Sequence, residues 1–447
     1  MTATLVLAEG ARTPLERSLP KLRTLLSPLT GIVPATWRVL NATEDPPFHH
    51  VCSLTTDTRA LLGVEANKIN GGIAPSADAA LAAAIGESAE RYAAAHVPAE
   101  RCTLASAADL GERAVDPASF GLFADVQYAD PAFPFARFDS QTRVRWVEGH
   151  ALDDGRSVRL PAQLVYLAPP GAGETAISYS TSSGLACGAT LEEAILGGLL
   201  ELVERDAFLV TWCGRLRLPR VRWDDDGVLA AEERRYYHGT GLEYVVTDAS
   251  AVLGVPTAIA LVGARNGAHG VAVGAASAVT MRHAVHKALR EGFQTRAFAR
   301  QLAQLDPGWT CADDYSSVHS FDDHVRFYGC PQNAVHADFL RGSDAWTRAG
   351  DVPGFDDVVP ARAIAGIVER LALNGVHVYV ADVTTPDLLD AGLRVARVIA
   401  PELCRLDVDY RLRFLGARRL LTGGFEAGLT SRPLLPAELN PHPHPFP

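Results

Sequence analysis

The chain has 447 residues, a formal net charge of -11 and a hydrophobic content of 48%. This length suits one large domain with smaller additions, and so high an apolar content excludes a largely disordered chain. The negative charge, without a lysine- or arginine-rich stretch, argues against a surface that binds nucleic acid.

The cysteines and the N-terminus bear on the compartment of the protein. The seven cysteines lie far apart and form no C-x-x-C pair, so we expect neither a structural zinc site nor a disulfide framework. The N-terminus carries an acidic residue and a proline where a signal peptide needs an unbroken apolar core. No run of about 18 uncharged apolar residues follows. The sequence therefore predicts a cytoplasmic protein without a membrane segment.

The first part of the chain contains one long helix and one hairpin. Residues 1–55 mix short apolar runs with proline and glycine, which predicts an irregular or strand-bearing lead-in. An alanine-rich helix is expected over residues 76–96, with Ser76 as its N-cap. Two runs with strand propensity then flank the Asp-Asp-Gly sequence at residues 153–155, a pattern typical of a β-hairpin.

The second part contains further helices and strands. The helices are expected over residues 191–210, 281–301 and 361–374, and the strands over 244–247, 255–262 and 376–383. A polar loop of small residues, 178–190, precedes the first of these helices and suits close approach of the backbone to a phosphate. The tail, residues 431–447, is rich in proline, which favours an extended conformation.

One pattern, Glu-x-x-Glu-Arg-x-Ala, occurs twice, each time inside a predicted helix. Residues three apart share a helix face, so Glu87 and Glu90 project together, as do Glu201 and Glu204. The surrounding residues are apolar, and uncompensated buried charge is costly. A phosphate ligand with bound magnesium would offset that cost.

Other polar residues join these faces. At 100° per residue, Glu193 and Arg205 fall within the arc of roughly 120° that holds the second glutamate pair, and Arg91 lies beside the first pair. On the third long helix, Gln294 projects with a glutamate, whereas Arg296 lies well round that helix. Such a set of carboxylates, arginines and an amide suits a nucleoside triphosphate with its metal ions.

Simpler interpretations stay open at this point. The sequence contains neither a P-loop nor a Rossmann glycine motif, so ATP would have to bind in another way. Each Glu-x-x-Glu-Arg copy could be a solvated helix face, and the same holds for Gln294 and Arg296. The proline-rich end could be a disordered terminus.

These segments together resemble the YcaO family, and more narrowly its azoline-forming cyclodehydratases, the D proteins of thiazole/oxazole-modified peptide pathways. The resemblance covers about residues 67–421, and its motifs lie in residues 83–91, 146–167, 181–207, 288–296, 381–388 and 410–420. It implies an α+β fold of the YcaO type, with mixed or antiparallel sheets packed against long helices that carry the ATP site. It also implies three parts: a lead-in or partner-docking segment (1–55), a catalytic domain (56–430) and a tail that reaches the active site (431–447).

The resemblance assigns roles to residues. It implies that five glutamates hold Mg²⁺ around ATP, namely Glu87, Glu90, Glu193, Glu201 and Glu204. It implies that four further residues contact nucleotide or phosphate, namely Arg91, Arg205, Gln294 and Arg296. Arg296 is expected to act in catalysis. The carboxylate of Pro447 is expected to act there too, because a terminal Pro-x-Pro-x-Pro marks the azoline-forming branch. His442 or His444 is a further candidate for moving protons.

The implied function is an ATP-dependent cyclodehydratase that converts Cys, Ser or Thr of a ribosomally made precursor peptide to thiazoline or oxazoline. The implied partners are that peptide and an E1-like or ocin-ThiF-like C protein that delivers it. A flavin-dependent azoline dehydrogenase and a second copy of the chain complete the expected set.

Two alternatives differ from this function. One is another YcaO chemistry, thioamide or macroamidine formation, in which sulfide or an amine replaces the side-chain nucleophile. The other is a non-catalytic accessory protein that binds ATP. The second would account for Ala83 and Ser183, which stand where the family usually has Ser and Asn. The proline tail favours azolines, and the retained carboxylates favour catalysis.

Overall fold

The computed structural model describes residues 4–65, 67–264 and 270–446. Its strands form three sheets. The strands are β1 (Ala35–Val39), β2 (His49–Leu54), β3 (Ile69–Ala74), β4 (Thr103–Ala105), β5 (Val144–Ala151), β6 (Ser157–Pro161), β7 (Leu185–Gly188), β8 (Arg220–Arg222), β9 (Leu242–Asp248), β10 (Thr257–Ala264), β11 (Val271–Ser277), β12 (Trp346–Arg348), β13 (Tyr379–Asp382) and β14 (Arg394–Ile399).

The helices include three that are much longer than the rest, α3, α7 and α9. The helices are α1 (Leu15–Arg23), α2 (Thr58–Leu62), α3 (Ala77–Ala95), α4 (Ala107–Leu110), α5 (Asp125–Tyr128), α6 (Ala162–Val165), α7 (Leu191–Gly214), α8 (Gly227–Glu232), α9 (Met281–Leu305), α10 (Phe321–Gly329), α11 (Pro360–Ala372), α12 (Pro386–Asp390) and α13 (Arg419–Glu426). Within the described ranges, none of them is long and apolar enough to cross a membrane.

The sheets are mostly antiparallel. The smallest has the order β1-β2-β3, the second β11-β10-β9-β8-β12, and the third β4-β5-β13-β14-β7 with β6 paired to β5. Of the described strand pairs, β8 with β12 is parallel. The predicted α+β class, with mixed or antiparallel sheets against long helices, is therefore confirmed.

Each long helix packs directly on a sheet. Helix α3 lies on β3, α7 on β7 and β14, and α9 on β10 and β11. Two glycines allow this close approach. A Cβ at Gly72 would lie 2.3 Å from the carbonyl oxygen of Ala80, and one at Gly274 would lie 2.2 Å from that of Ala288. Any larger residue at either position would push the helix off its sheet.

The predicted helices and the hairpin are present. The Ser76 hydroxyl caps α3 by accepting from the backbone N–H of Ala79 at 3.2 Å, as its position indicated. The strands β5 and β6 form the expected hairpin, with Gly155 at a φ of 71° in its turn. Helix α7 continues one turn beyond the predicted end, because its last turn is buried.

Other predictions were wrong or incomplete. The prediction of a loop over residues 178–190 is wrong at residues 185–188, which form β7 because they pair with β14. Helix α10 lies between residues 301 and 361, where no helix or strand was predicted. The division into residues 1–55, 56–430 and 431–447 stays a prediction, and β2 and β3, on either side of residue 55, pair in one sheet.

Candidate nucleotide and metal site

The two acidic helix faces lie against the same strand. Helices α3 and α7 both pack on β7. The backbone N–H of Cys187 in β7 donates to Glu90 of α3 at 3.0 Å, and that of Gly184, just before β7, donates to Glu201 of α7 at 2.6 Å. A third N–H, from Gly71 of β3, donates to Glu87 at 3.0 Å. Three carboxylates are thus oriented by backbone N–H groups in β3, in β7 and just before β7.

One arginine accompanies each glutamate pair. Arg91 contacts Glu87 at 2.9 Å and Glu90 at 3.7 Å. Arg205 contacts Glu201 at 2.7 Å and donates to the hydroxyl of Ser183 at 2.5 Å. The serine that replaces the usual asparagine therefore still makes a polar contact in this cluster.

The electrostatics show that the two faces are close together. Burial, with the charges of Glu87 and Glu201, raises the pKa of Glu90 to about 8, against the lowering charge of Arg91. Burial alone would lower the pKa of Arg91. The negative charges of Glu87, Glu90 and Glu201 outweigh burial, so the pKa of Arg91 is raised. Carboxylates of both helices thus influence each other across the site.

A lysine of the third long helix joins this cluster. The Nζ atom of Lys287 lies 3.2 Å from Glu204 and 3.5 Å from Glu291 of its own helix. Burial raises the pKa of Glu204, and the nearby charges of Glu291 and Glu201 add to the effect. Lys287 was not among the predicted site residues, although lysine is rare in this chain and Lys287 lies four residues before Glu291.

Glu193 approaches from the start of α7. Its carboxylate accepts from the backbone N–H of Ala189 at 3.0 Å and from that of Thr13 at 2.5 Å. The charges of Glu90 and Glu193 both add to burial in raising the pKa of the Cys187 thiol, so the two glutamates flank that residue. We call Glu87, Glu90, Glu193, Glu201, Glu204 and Glu291 with Arg91, Arg205 and Lys287 the acidic cluster.

The two predicted residues of α9 are placed differently. The side-chain nitrogen of Gln294 lies 3.5 Å from Nε2 of His50 and borders Gly71, the residue that donates to Glu87. Arg296 is 5% exposed and pairs with Asp45 at 3.2 Å, in the connection between β1 and β2. Gln294 is therefore at the edge of the acidic cluster, whereas Arg296 is directed to the N-terminal segment.

The described end of the proline-rich tail is buried against α7. Phe446 is 4% exposed, and its ring centroid lies 4.9 Å from that of Phe208, one helical turn after Glu204. The His444 ring donates to the carbonyl oxygen of Asp407 at 2.8 Å. Pro447, predicted to be catalytic, lies outside the described residues.

A buried arginine, Arg397, and a half-buried one, Arg405, lie near the acidic cluster and were not predicted from the sequence. Arg397, in β14, is 2% exposed and interacts electrostatically with Glu201, Arg205 and Arg405. Its signal in the sequence is a charged residue within an otherwise apolar run, Val395 to Ala400. A charge in such a strand is rare unless it has a buried partner or a ligand.

The residues present fit Mg²⁺ and a nucleotide. Hard divalent cations take carboxylate oxygens, and arginine side chains neutralise phosphate. Burial, with a smaller contribution from neighbouring carboxylates, raises the pKa of Glu90 and of Glu204. Bound cations would favour the charged form of both groups.

Comparison with known proteins agrees with this chemistry. The model of one family, described as YcaO cyclodehydratase, ATP- and Mg²⁺-binding, matches residues 71–404. A heterocyclase solved in complex with substrate and cofactor is 25% identical, with a TM-score of 0.83, over 99% of this chain and 59% of that chain. The heterocyclase TruD is 24% identical, with a TM-score of 0.71, over 99% of this chain and 56% of that chain.

A third solved structure is similar in fold. YcaO from Methanopyrus kandleri, bound with AMPPCP and Mg²⁺, is 20% identical, with a TM-score of 0.61, over 92% of this chain and 98% of that chain. The present chain thus spans somewhat more than half the length of the two heterocyclases. Because the family model covers most of its residues, the chain belongs to the YcaO family.

Proposed function

We propose that this protein is an ATP-dependent cyclodehydratase that converts Cys, Ser or Thr of a ribosomally made precursor peptide to thiazoline or oxazoline. The observation that carries the proposal is the acidic cluster, in which glutamates of α3 and α7 converge beside arginines within the region that the family model matches. The similarity to a heterocyclase solved with substrate and cofactor supports the same chemistry.

The reaction explains why ATP is consumed. The side-chain thiol or hydroxyl of the peptide attacks the preceding carbonyl carbon, and the carbonyl oxygen then takes the terminal phosphoryl group of ATP, releasing ADP. The amide nitrogen loses its proton, a C=N bond forms, and the oxygen leaves as phosphate. Phosphate is a far better leaving group than hydroxide, so ATP turns an amide oxygen into a group that can depart.

The protein's contribution is positioning and charge neutralisation. Glu87, Glu90, Glu193, Glu201 and Glu204 would hold Mg²⁺, which screens the phosphate charge when bound. Arg91 and Arg205 are each fixed by a glutamate at 2.9 Å and 2.7 Å, so their remaining N–H groups are oriented before substrate arrives.

We propose further roles for residues of α9 and of the tail, and partners for the protein. We place Gln294 at the nucleotide because it borders Gly71, whose backbone N–H donates to Glu87. We propose that Arg296 acts next to the nucleotide site, where it holds Asp45 in place. Pro447 is proposed to act in catalysis because the tail before it is buried one turn from Glu204. Precursor peptide, a peptide-delivering C protein, a flavin-dependent dehydrogenase and a second copy of the chain are the proposed partners.

The test is reconstitution of the reaction. Purified protein with ATP, Mg²⁺, its C-type partner and precursor peptide should lower the peptide mass by one water per ring, as measured by mass spectrometry. Omitting ATP should prevent the change. A mass change that requires added sulfide would instead support thioamide formation. An unmodified peptide, with ATP bound to a folded protein, would support the accessory protein.

Nucleotide binding should be linked to proton release. The raised pKa of Glu90, about 8, means that it is mostly protonated at pH 7 without cations, and metal ligands must be deprotonated. Burial likewise raises the pKa of Glu204, another proposed ligand, to about 8. We therefore expect ATP with Mg²⁺ to release between about one and two protons per site at pH 7 and to bind more tightly as the pH rises toward 8. Calorimetry in buffers of different ionisation enthalpy measures this. Binding without proton release, or weaker binding at higher pH, would contradict it.

A further inference from the structure

A small pocket lies between α7 and the end of β14, beside the acidic cluster. It is lined by Ser183, Leu202 and Arg397, and by Leu403, Cys404 and Arg405 of the segment after β14. Most of this lining is apolar, and its polar side chains are one hydroxyl and two guanidinium groups. The pocket admits about one water-sized group.

Arg397 is held rigidly with one nitrogen unused. Its Nε atom donates to the carbonyl oxygen of Leu164 at 3.1 Å, and Nη2 donates to that of Thr181 at 2.8 Å. Nη1 is buried and has no hydrogen-bond partner among the described residues. The side chain is only 2% exposed. A buried unpaired N–H is unusual and costly.

Arg405 brings a second positive charge to the same pocket. Its guanidinium carbon lies 5.5 Å from the ring centroid of Phe120, and its Nε atom is buried without a partner among the described residues. Neither Arg405 nor Arg397 forms an ion pair within the described ranges. Burial lowers the pKa of both arginines, and the charge of Arg405 lowers that of Arg397 further.

The carboxylates that act on the two arginines are engaged by other groups. Glu402 acts on Arg405, but its oxygens accept from the backbone N–H of His377 at 3.1 Å and from the ring of His377 at 2.9 Å. Glu201 is the nearest acidic group that acts on Arg397. Its two oxygens already accept from Arg205 at 2.7 Å and from the backbone of Gly184 at 2.6 Å. Arg397 is thus a buried cation without an ion-pair partner among the described residues, beside a second, half-buried guanidinium. Such an arrangement is expected where a ligand supplies the anion.

The Ser183 hydroxyl supplies a third donor. Its oxygen accepts from Arg205 at 2.5 Å and from the Thr181 hydroxyl at 3.5 Å. Its own hydrogen therefore has no acceptor among the described residues. The pocket presents donors and positive charge, which is the chemistry of an oxyanion site.

We propose that the pocket of Arg397, Arg405 and Ser183 binds one oxygen of a tetrahedral phosphate. The inference rests on the proposed function and deepens it by adding a phosphate subsite to the acidic cluster. The phosphate comes either from the terminal group of the bound nucleotide or from the phosphate that leaves the peptide. Both sources offer the same anionic oxygen.

Thermal unfolding of the full chain tests the proposal with two probes. The first is inorganic phosphate added to protein with ADP and Mg²⁺, and the second is AMPPCP with Mg²⁺. The variants are Arg397→Met and Arg405→Met. The control is Arg326→Met, in which the lost guanidinium was paired with Asp323 at 3.1 Å outside the pocket.

We expect the wild type to be stabilised by phosphate in the first arm or by AMPPCP beyond ADP in the second. In the arm that shows stabilisation, the half-saturating concentration of phosphate or AMPPCP should rise by about tenfold or more in both pocket variants. It should not rise in the control. Without ligand, Arg405→Met should unfold at the wild-type temperature or above, because an uncompensated charge is removed. If Arg405 had only a structural role, its replacement by methionine would instead lower the unfolding temperature.

Equal ligand dependence of wild type and pocket variants in both arms would overturn the proposal. If Arg397→Met does not fold, Arg405→Met decides alone, since Arg405 makes no hydrogen bond within the described residues. Neither arm requires peptide or turnover. A protein that shows the phosphate effect but forms no azoline would therefore contradict the proposed function and leave the subsite standing.

Discussion

Replacing Glu90 with glutamine is expected to stabilise the metal-free protein while abolishing its ATP-dependent activity. Glutamine has nearly the same shape and can still accept from the backbone N–H of Cys187, which now donates to Glu90 at 3.0 Å. It cannot carry the negative charge that a magnesium ligand needs. We expect ring formation to fall by at least about 100-fold.

The gain in stability follows from the pKa of this carboxyl. Burial and the neighbouring glutamates raise it from the ordinary value of 4.5 to about 8. Between these two values the folded protein holds a proton that the unfolded chain has lost, so the wild type loses stability as the pH rises through this window. Glutamine has no such dependence. The variant should gain on the order of 3 kcal/mol in free energy of unfolding at pH 7.

Urea unfolding of both proteins from pH 4.5 to pH 8, without metal, measures this difference. The free energies of unfolding of the wild type and of Glu90→Gln should be nearly equal at pH 4.5 and should diverge steadily toward pH 8. Saturating ATP with Mg²⁺ should reverse the order, because only the wild type binds it tightly. Glu192→Gln is the matched control on α7, since Glu192 accepts from the backbone N–H of Ala8 at 2.7 Å and lies outside the cluster. An active, destabilised Glu90→Gln protein would mean that the carboxylate is structural.

The sequence was sufficient to predict the helices that carry the site. Caps and apolar periodicity are local properties, and Ser76 and Thr190 cap α3 and α7 as their positions require. The spacing of Glu87 with Glu90, and of Glu201 with Glu204, likewise follows from helix geometry. The resemblance to the YcaO family then indicated that the ligand is ATP. The match of the family model confirms that the chain belongs to this family.

What could not be predicted depends on contacts between distant segments. Strand β7 contains too few residues to show a period, and it becomes a strand because β14 pairs with it. Its backbone then orients Glu90. In the sequence, Lys287 cannot be distinguished from an ordinary surface lysine. Its role becomes visible only when the fold brings α9 next to Glu204 of α7. Arg296 was placed with the nucleotide residues through resemblance, whereas its partner in the structure, Asp45, belongs to a segment that carried no interpretable motif.

Removing the last five residues, 443–447, is expected to lower stability and to stop ring formation together. Phe446 is 4% exposed against Phe208, and His444 is 2% exposed beside Asp407. Exposing the pocket that holds an aromatic ring of this kind costs about 3 kcal/mol or more. Chemical denaturation and peptide mass measurements would record the two losses. Full ring formation by the shortened protein would contradict any catalytic role for the tail.

Two smaller changes separate packing from chemistry in the tail. Phe446→Ala removes the buried ring and keeps the terminal carboxylate, so it should reduce stability by about 3 kcal/mol. Deleting Pro447 alone keeps the buried Phe446 ring and shifts the carboxylate by one residue. If that carboxylate moves protons for the reaction, the Pro447 deletion should still slow ring formation more than tenfold. Loss of activity only in proportion to lost stability, in both variants, would show that the tail acts by packing against α7.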